Sequence, residues 1–194
     1  MGLLRAFIAI ELPQHLQDAI EKQTARLRQI LGDQNVRWVP TQNMHLTLKF
    51  LGDIATSHVD FLKQLITHEA ASHQQFDLQI SGLGSFPTSR RPRVLWAGLH
   101  APADLTYLQK SIETGASRLG YETEERAFSP HLTLGRVRQN LNPAESQKIR
   151  TALDTIQLGN IGTARIDTIH LIKSDLHPSG SVYTKLFSAP LSKP

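Results

Sequence analysis

His45-Leu46-Thr47-Leu48 and His131-Leu132-Thr133-Leu134 are two copies of one four-residue sequence, and the two copies begin 86 positions apart. Each copy predicts a short β-strand, in which alternate side chains point to opposite faces of a sheet. The two leucines of each copy then point into a core, and the histidine and the threonine share the other face. The repeat therefore predicts two similar strands, each presenting one imidazole and one hydroxyl.

Two such pairs suit proton transfer near neutral pH. The unperturbed pKa of imidazole is about 6.5, so one neutral and one protonated ring can act together as general base and general acid. Cleavage of a phosphodiester needs both, because a base activates the attacking water and an acid protonates the departing oxygen. Each threonine hydroxyl can donate a hydrogen bond to a phosphate oxygen. The candidate site residues are therefore His45, Thr47, His131 and Thr133.

Other catalytic patterns are missing from the sequence. It contains no cysteine, and we find no Gly-x-Ser-x-Gly, no P-loop and no Gly-x-Gly-x-x-Gly. A zinc site usually needs three or four ligands, often from a His-x-x-x-His pair, and no such pair occurs. His68 and His73 are five positions apart on a predicted helix and would not share one of its faces. We expect neither a metal nor another cofactor.

The chain carries a mild excess of positive charge, which favours anionic partners. The formal net charge is +4 with histidine neutral, and the pI is about 9.6. Three arginines lie close together in Thr88-Ser89-Arg90-Arg91-Pro92-Arg93. Such a tract is usually a solvated loop. The functional alternative is a loop at the mouth of a cleft, where Arg91 would contact an RNA backbone.

The first apolar run, Leu3–Ile10, is too short to cross a membrane and soon meets Glu11 and Pro13. No small-residue cleavage site follows it, so we interpret it as the first strand and expect no membrane association. The lack of cysteine is typical of a reducing compartment, and we expect a cytoplasmic protein.

Strand-like and helix-like segments alternate along the chain. A first helix is predicted to begin at Pro13, with Leu16, Ile20, Leu27 and Leu31 on one face. A second is predicted to begin near Thr56. Two more are predicted at Pro102–Leu119, which Gly120 ends, and at Pro143–Ile156, with Asn142 as its N-cap. Besides the two motifs, strands are predicted at Leu3–Ile10, Val36–Val39, Leu46–Leu51, Phe76–Leu83, Val94–Leu99, Ile166–Ile172 and Val182–Phe187. Paired strands between helices favour antiparallel or mixed sheets, and hence an α+β fold.

At the two motifs the chain resembles the 2H phosphoesterases, a superfamily named for its two His-x-Thr-x motifs. Within it the chain is similar to the bacterial and archaeal RNA 2′,3′-cyclic phosphodiesterases, also called 2′-5′ RNA ligase-like proteins. One such motif is weak evidence, but two in this order with these flanks are specific. The similar segments cover nearly the whole chain and are Arg5–Pro13, Trp38–Pro40, Asn43–Gly52, Pro92–Leu99, Phe128–Arg136, Leu171–Leu176 and Gly180–Tyr183.

The resemblance implies one folding unit over residues 1–194, with two pseudo-symmetric lobes that each contribute one motif to a central groove. It implies hydrolysis of the 2′,3′-cyclic phosphate end of RNA, or of a cyclic nucleotide, to a 2′-phosphomonoester without a metal. By the family's pattern, His45 is the acid that protonates the departing 3′ oxygen and His131 is the base for water. The residues alone are too symmetric to decide between these two roles.

Two residues that follow the motifs are further candidates for substrate binding. Arg136 is a candidate for a phosphate, in a part of the strand that we expect to bend away. Phe50 can stack on a base, although a position in the core is an equally good interpretation. The first copy is also followed by a cation, Lys49, so that a positive charge lies near each histidine in sequence.

Two other functions stay open at this point. A non-catalytic RNA-binding module on an α+β fold would read RNA with exposed aromatic side chains, but the repeated sequence carries histidine instead. An RNA ligase would run the reverse chemistry, and without a recognisable nucleotide-binding lysine motif it would have to use the cyclic phosphate itself. We expect a monomer, and the sequence does not identify the natural RNA.

Overall fold

In the part of the chain that the structure describes, nine strands form two sheets, and four α-helices cover them. The computed structural model describes residues 2–178 and 180–193. The strands of this part of the chain are β1 (Leu3–Glu11), β2 (Val36–Trp38), β3 (His45–Ala55), β4 (Phe76–Thr88), β5 (Arg91–His100), β6 (His131–Val137), β7 (Asn160–Ile166), β8 (Thr168–His177) and β9 (Gly180–Pro190). The helices are α1 (Gln14–Asn35), α2 (Val59–Ser72), α3 (Ala103–Arg118) and α4 (Pro143–Thr155).

Each sheet contains one of the two motif strands. The first sheet has the strand order β3-β1-β8-β9, and the second has the order β2-β6-β5-β4-β7. Neighbouring strands within both sheets run antiparallel. The predicted α+β class with two lobes is therefore confirmed, and its sheets are antiparallel rather than mixed.

Two helices cross from one sheet to the other. Helix α1 follows β1 of the first sheet but packs on β2 and β7 of the second, and α3 follows β5 of the second sheet but packs on β3 of the first. After each crossing the motif strand returns to the strand that preceded the helix, β3 to β1 and β6 to β5. The halves thus share one plan, and a single cluster of buried apolar side chains extends through both lobes.

The helix boundaries follow local sequence signals. In α1 the predicted apolar positions Leu16, Ile20, Leu27 and Leu31 are all buried. Helix α4 begins at a capping box, because the Asn142 side chain accepts a hydrogen bond from the Glu145 amide at 2.9 Å and the Glu145 carboxylate accepts one from the Asn142 amide at 2.8 Å.

Two sequence-based assignments are wrong. The predicted strand Ile166–Ile172 is in fact the end of β7 and the start of β8, which Asp167 separates. The prediction missed this junction because no glycine or proline marks it. The predicted loop around the three arginines is a β-hairpin, in which only Ser89 and Arg90 lie outside the strands. Few apolar residues lie near the hairpin turn, so the prediction ended β4 too early, at Leu83, and began β5 too late, at Val94.

Candidate active site

The two motifs occupy the first four residues of β3 and β6. Their leucines are at most 3% exposed, as the alternation predicts, whereas their histidines and threonines are half-buried. We call the sheet face that carries these histidines and threonines the groove face. Strands β3 and β6 contact each other, which brings the two motifs to the junction of the lobes.

A β-bulge after Thr47 changes which side chains of β3 reach the groove face. Thr47 pairs with Ala9 of β1, but Lys49 pairs with Ile8, so Leu48 is an extra residue in the strand. Beyond the bulge the alternation is reversed.

This reversal exchanges the expected positions of two side chains. Phe50 pairs with Phe7 on the groove face, where its side chain is 66% exposed, so a core position for Phe50 is wrong. Lys49 instead turns to the helix side of the sheet, where it is buried. The cation that follows the first motif in sequence therefore does not share the groove face with His45.

Strand β6 contains an equivalent bulge after Thr133. Thr133 pairs with Trp96 of β5 and Gly135 pairs with Leu95, so Leu134 is the extra residue. Arg136 pairs with Val94, two positions from Trp96, and therefore lies on the groove face with Thr133. From its motif to just beyond its bulge, each strand thus presents three side chains to this face, with Phe50 third in β3 and Arg136 third in β6.

His45 is held by its own backbone turn and by two aromatic rings. The distance from its Nδ1 to the carbonyl oxygen of Asn43 is 2.9 Å. Because a carbonyl only accepts, Nδ1 carries the hydrogen and Nε2 is the nitrogen left for chemistry. The ring stacks on Phe7 with 4.5 Å between centroids and meets Tyr183 of β9 edge-on at 5.1 Å.

His131 is held by the same device in the other lobe. Its Nδ1 donates to the carbonyl oxygen of Ser129 at 2.7 Å, which again leaves Nε2 free of a bond to the backbone. The ring of Phe86 packs edge-on against it at 4.9 Å, and Trp96 lies 5.3 Å from Phe86. The Trp96 ring packs closely on Gly84, where an added Cβ atom would clash with the ring.

Charge around His45 works against the effect of its burial. Burial lowers the pKa of His45, while its bond to the Asn43 carbonyl and the negative charge of Glu11 raise it. Glu11 is the register partner of His45 on β1. Its carboxylate also accepts from Lys185 Nζ at 2.6 Å and lies 3.9 Å from His170 Nε2. The carboxylate thus links His45 to a small charged cluster on the same face.

His170 itself has a structural place in that cluster. It is 8% exposed, and its Nδ1 lies 2.9 Å from the Ser188 hydroxyl. Burial lowers its pKa, with the charges of Glu11 and Lys185 acting in opposite directions.

Lys49 connects strand β3 to the segment that precedes the second motif, on the helix side of the first sheet. Its ammonium group donates to the carboxylate of Glu113 on α3 and to the carbonyl of Glu122. The Glu113 carboxylate also accepts from the Glu124 amide at 2.9 Å. A buried cation next to the first bulge therefore anchors the segment that runs from α3 towards His131.

The hairpin of β4 and β5 carries Arg91 close to the second motif. Arg91 pairs with Thr88 at the turn end of the hairpin, and Phe86 of the same hairpin packs on His131. Its side chain is exposed. The arginine that the sequence assigned to a loop lies instead on a paired strand.

Several groove-face residues were missed by sequence reasoning, although most lie in the segments that carry the resemblance. They are Phe7, Glu11, Arg37, Phe86, Trp96 and Tyr183. In β1 one signal was available, because strand alternation places Phe7, Ala9 and Glu11 on the same face. The pairing of β1 with β3 then brings this face next to His45.

The described residues offer no candidate for a metal site or for a membrane span. In residues 2–178 and 180–193, no group of three or more His, Asp or Glu side chains lies close enough to hold a metal ion. Over the same residues, none of the helices has the length and apolar character needed to span a membrane.

Two antiparallel lobes, each with a His-x-Thr-x strand at their junction, define a two-histidine phosphoesterase fold. A family model described as LigT-like phosphoesterase matches residues 10–96 and 99–183. The chain belongs to this family of phosphoester hydrolases, which confirms the resemblance found at the two motifs.

Curated relatives match the chain over almost its full length. The RNA 2′,3′-cyclic phosphodiesterase of Methanothermobacter thermautotrophicus is 31% identical over 183 residues, which is 94% of this chain and 96% of that protein. The protein of the same name from Thermotoga maritima is 28% identical, over 95% of this chain and 94% of the relative.

Solved structures have the same fold. The protein TT0787 of Thermus thermophilus superposes with a TM-score of 0.80 at 25% identity, covering 97% of this chain and 98% of that one. Escherichia coli LigT complexed with 3′-AMP gives a TM-score of 0.79 at 25% identity, with 98% and 99% covered.

Proposed function

We propose that this protein is a metal-independent RNA 2′,3′-cyclic phosphodiesterase that yields 2′-phosphomonoesters by general acid and base catalysis. The observation that supports this best is the matched pair of imidazoles, each bonded through Nδ1 to the carbonyl two residues before it. Both therefore keep Nε2 for a substrate. The curated relatives named above carry this activity in their names.

In the proposed reaction one proton is taken and one is given. Nε2 of neutral His131 accepts a proton from water as the water oxygen bonds to phosphorus. The bond from phosphorus to the 3′ oxygen breaks, and protonated His45 donates its Nε2 hydrogen to that oxygen. The products are a 3′-hydroxyl and a 2′-phosphate, and His45 and His131 exchange protons with solvent before the next turnover.

The surroundings of His45 suit the role of acid. Burial lowers its pKa, so the protonated ring is a stronger acid than a free imidazolium. The negative charge of Glu11 acts in the opposite direction, and a bound phosphate anion would add to it. The ring would then be protonated when substrate is present and would release its proton readily to the departing oxygen.

The remaining groove-face residues would bind the substrate. Thr47 and Thr133 lie next to the two histidines along the strands and would donate to phosphate oxygens. Arg136, on the same face as Thr133, would bind a phosphate group of the substrate. Phe50, with its exposed ring 6.1 Å from Phe7, would stack on the terminal base, and Arg91 would contact longer RNA from the hairpin end.

A water molecule is not the only nucleophile that this arrangement would serve. The 5′-hydroxyl of a second RNA in its place would form a 2′-5′ linkage, which is the ligase alternative. The third alternative, a non-catalytic RNA-binding module, predicts binding of a cyclic end without turnover. We further propose that the chain folds as one bilobal unit over residues 1–194 and acts as a cytoplasmic monomer, since one chain supplies both histidines.

One assay separates these possibilities. The protein is incubated with adenosine 2′,3′-cyclic phosphate, and in parallel with an RNA bearing that end and a second RNA with a free 5′-hydroxyl, each with and without EDTA. We expect the 2′-phosphate as the main product and the same rate with chelator. Loss of turnover on chelation and its return with a divalent ion would refute the mechanism, and unchanged substrate at high enzyme concentration would leave only the binding module.

A further inference from the structure

Two arginine side chains concentrate positive charge on the groove face beside the second motif. Arg37 of β2 and Arg136 of β6 are register partners in an antiparallel pair, so their side chains lie on the same face. Both side chains are exposed. Like charges directly opposite each other destabilise a sheet unless an anion lies between them.

No carboxylate of the described chain neutralises this pair. None of the ion pairs formed within residues 2–178 and 180–193 includes either guanidinium group. On the groove face of the other sheet, the Glu11 carboxylate is already paired with Lys185. The charge of the two arginines is therefore available to a ligand.

Arg37 also reaches the opposite lobe. A Cβ atom built on Gly180 of β9 would lie 3.7 Å from a guanidinium nitrogen of Arg37. Near the same point, the Asn43 side chain donates to the carbonyl of Ser181 at 3.2 Å. The arginine pair thus lies where β2 of the second sheet meets the β8–β9 hairpin of the first, at one end of the groove.

We infer that Arg37 and Arg136 form a subsite for a second phosphate, the one on the 5′ oxygen of the terminal nucleotide. This inference rests on the proposed function, because a strand that ends in a 2′,3′-cyclic phosphate can continue only from its 5′ oxygen. Arg136 lies three residues beyond Thr133, at most about 10 Å along an extended strand. A phosphate held there would be a neighbour of the one at the histidines, and two guanidinium groups suit its oxygens.

The subsite predicts a preference that depends on the 5′ group. The test compares adenosine 2′,3′-cyclic phosphate bearing a 5′-hydroxyl with the same nucleotide bearing a 5′-phosphate, and with a dinucleotide that ends in a cyclic phosphate. We expect Arg37→Ala to raise KM about tenfold for the two substrates with a second phosphate and to leave the 5′-hydroxyl nucleotide unchanged. Arg37→Lys should be intermediate, because it keeps the charge without the planar fork.

Arg26→Ala is the matched control, because it removes another exposed arginine, from helix α1 of the same lobe. It should change neither preference nor KM. The subsite is refuted if Arg37→Ala affects all three substrates equally, or if Arg26→Ala has the same effect. Wild-type protein that turns over none of the substrates would instead refute the proposed function, so the two failures are distinguishable.

Discussion

Replacing Lys49 by methionine tests how the segment before the second motif is anchored to strand β3. The Lys49 side chain is 4% exposed and that of its partner Glu113 is 14% exposed. Methionine keeps most of the volume but leaves a largely buried carboxylate without its cation, and removing one partner of a buried pair costs about 3–5 kcal/mol. Since Glu113 keeps some contact with solvent and the Glu124 amide, we expect about 3 kcal/mol.

Thermal and urea unfolding provide the measurement. For a chain of 194 residues, about 3 kcal/mol corresponds to a fall in Tm of roughly 6–12 °C. Lys63→Met is the matched control, because Lys63 pairs with Asp60 at 2.9 Å with side chains 37% and 82% exposed. Such a surface pair should contribute less than about 1 kcal/mol.

A double variant decides whether the loss comes from the unpaired carboxylate. Lys49→Met with Glu113→Gln removes both charges and keeps an acceptor for the Glu124 amide. It should recover more than half of the stability lost in Lys49→Met. If Lys49→Met is no more destabilising than Lys63→Met, or if the double variant loses the sum of both single effects, the buried pair does not anchor the segment before His131.

Three further outcomes are expected. Glu11→Gln should move the alkaline limb of the pH profile of kcat/KM to lower pH. The Glu11 carboxylate raises the pKa of His45, and without it the acid loses its proton at lower pH. If the alkaline limb does not move, His45 is not the acid. Arg91→Ala should weaken binding of longer RNA and flatten its salt dependence, with little change on a mononucleotide; equal losses on both would make Arg91 part of the catalytic site. Gly84→Ala should displace the Trp96 ring, which the added Cβ atom would meet, and should lower the free energy of unfolding by about 1–3 kcal/mol. The tryptophan fluorescence spectrum should shift, and an unchanged spectrum would contradict the packing beside His131.

The sequence predicted the faces of the motif strands because strand alternation is local. Leu46 and Leu132 are buried and both histidines lie on the other face, as the period of two requires. The bulges after Thr47 and Thr133 were not predictable in this way, since an extra residue appears only when the partner strand is known. They alone decide that Phe50 and Arg136 reach the groove face and that Lys49 does not.

Residues that act across strands were missed for a related reason. Glu11 becomes a neighbour of His45, and Arg37 of Arg136, only through pairing between segments distant in sequence. The crossing of α1 and α3 between the sheets is equally non-local. Local signals, such as the capping box at Asn142, were read correctly because they need no partner.

The most direct test of the two-histidine mechanism is the kinetics of His45→Ala, His131→Ala and the double variant on adenosine 2′,3′-cyclic phosphate. Each single variant should fold and lose about 10² to 10⁴ in kcat, and the double variant should be little worse than the poorer single one, because the two groups act as a unit. In a substrate with sulfur in place of the 3′ oxygen, the departing group is a thiolate, which needs little help from a proton donor. It should restore much of the rate of His45→Ala but not that of His131→Ala. A folded single variant that keeps more than about a tenth of the wild-type rate, or losses that multiply in the double variant, would contradict acid and base catalysis by this pair.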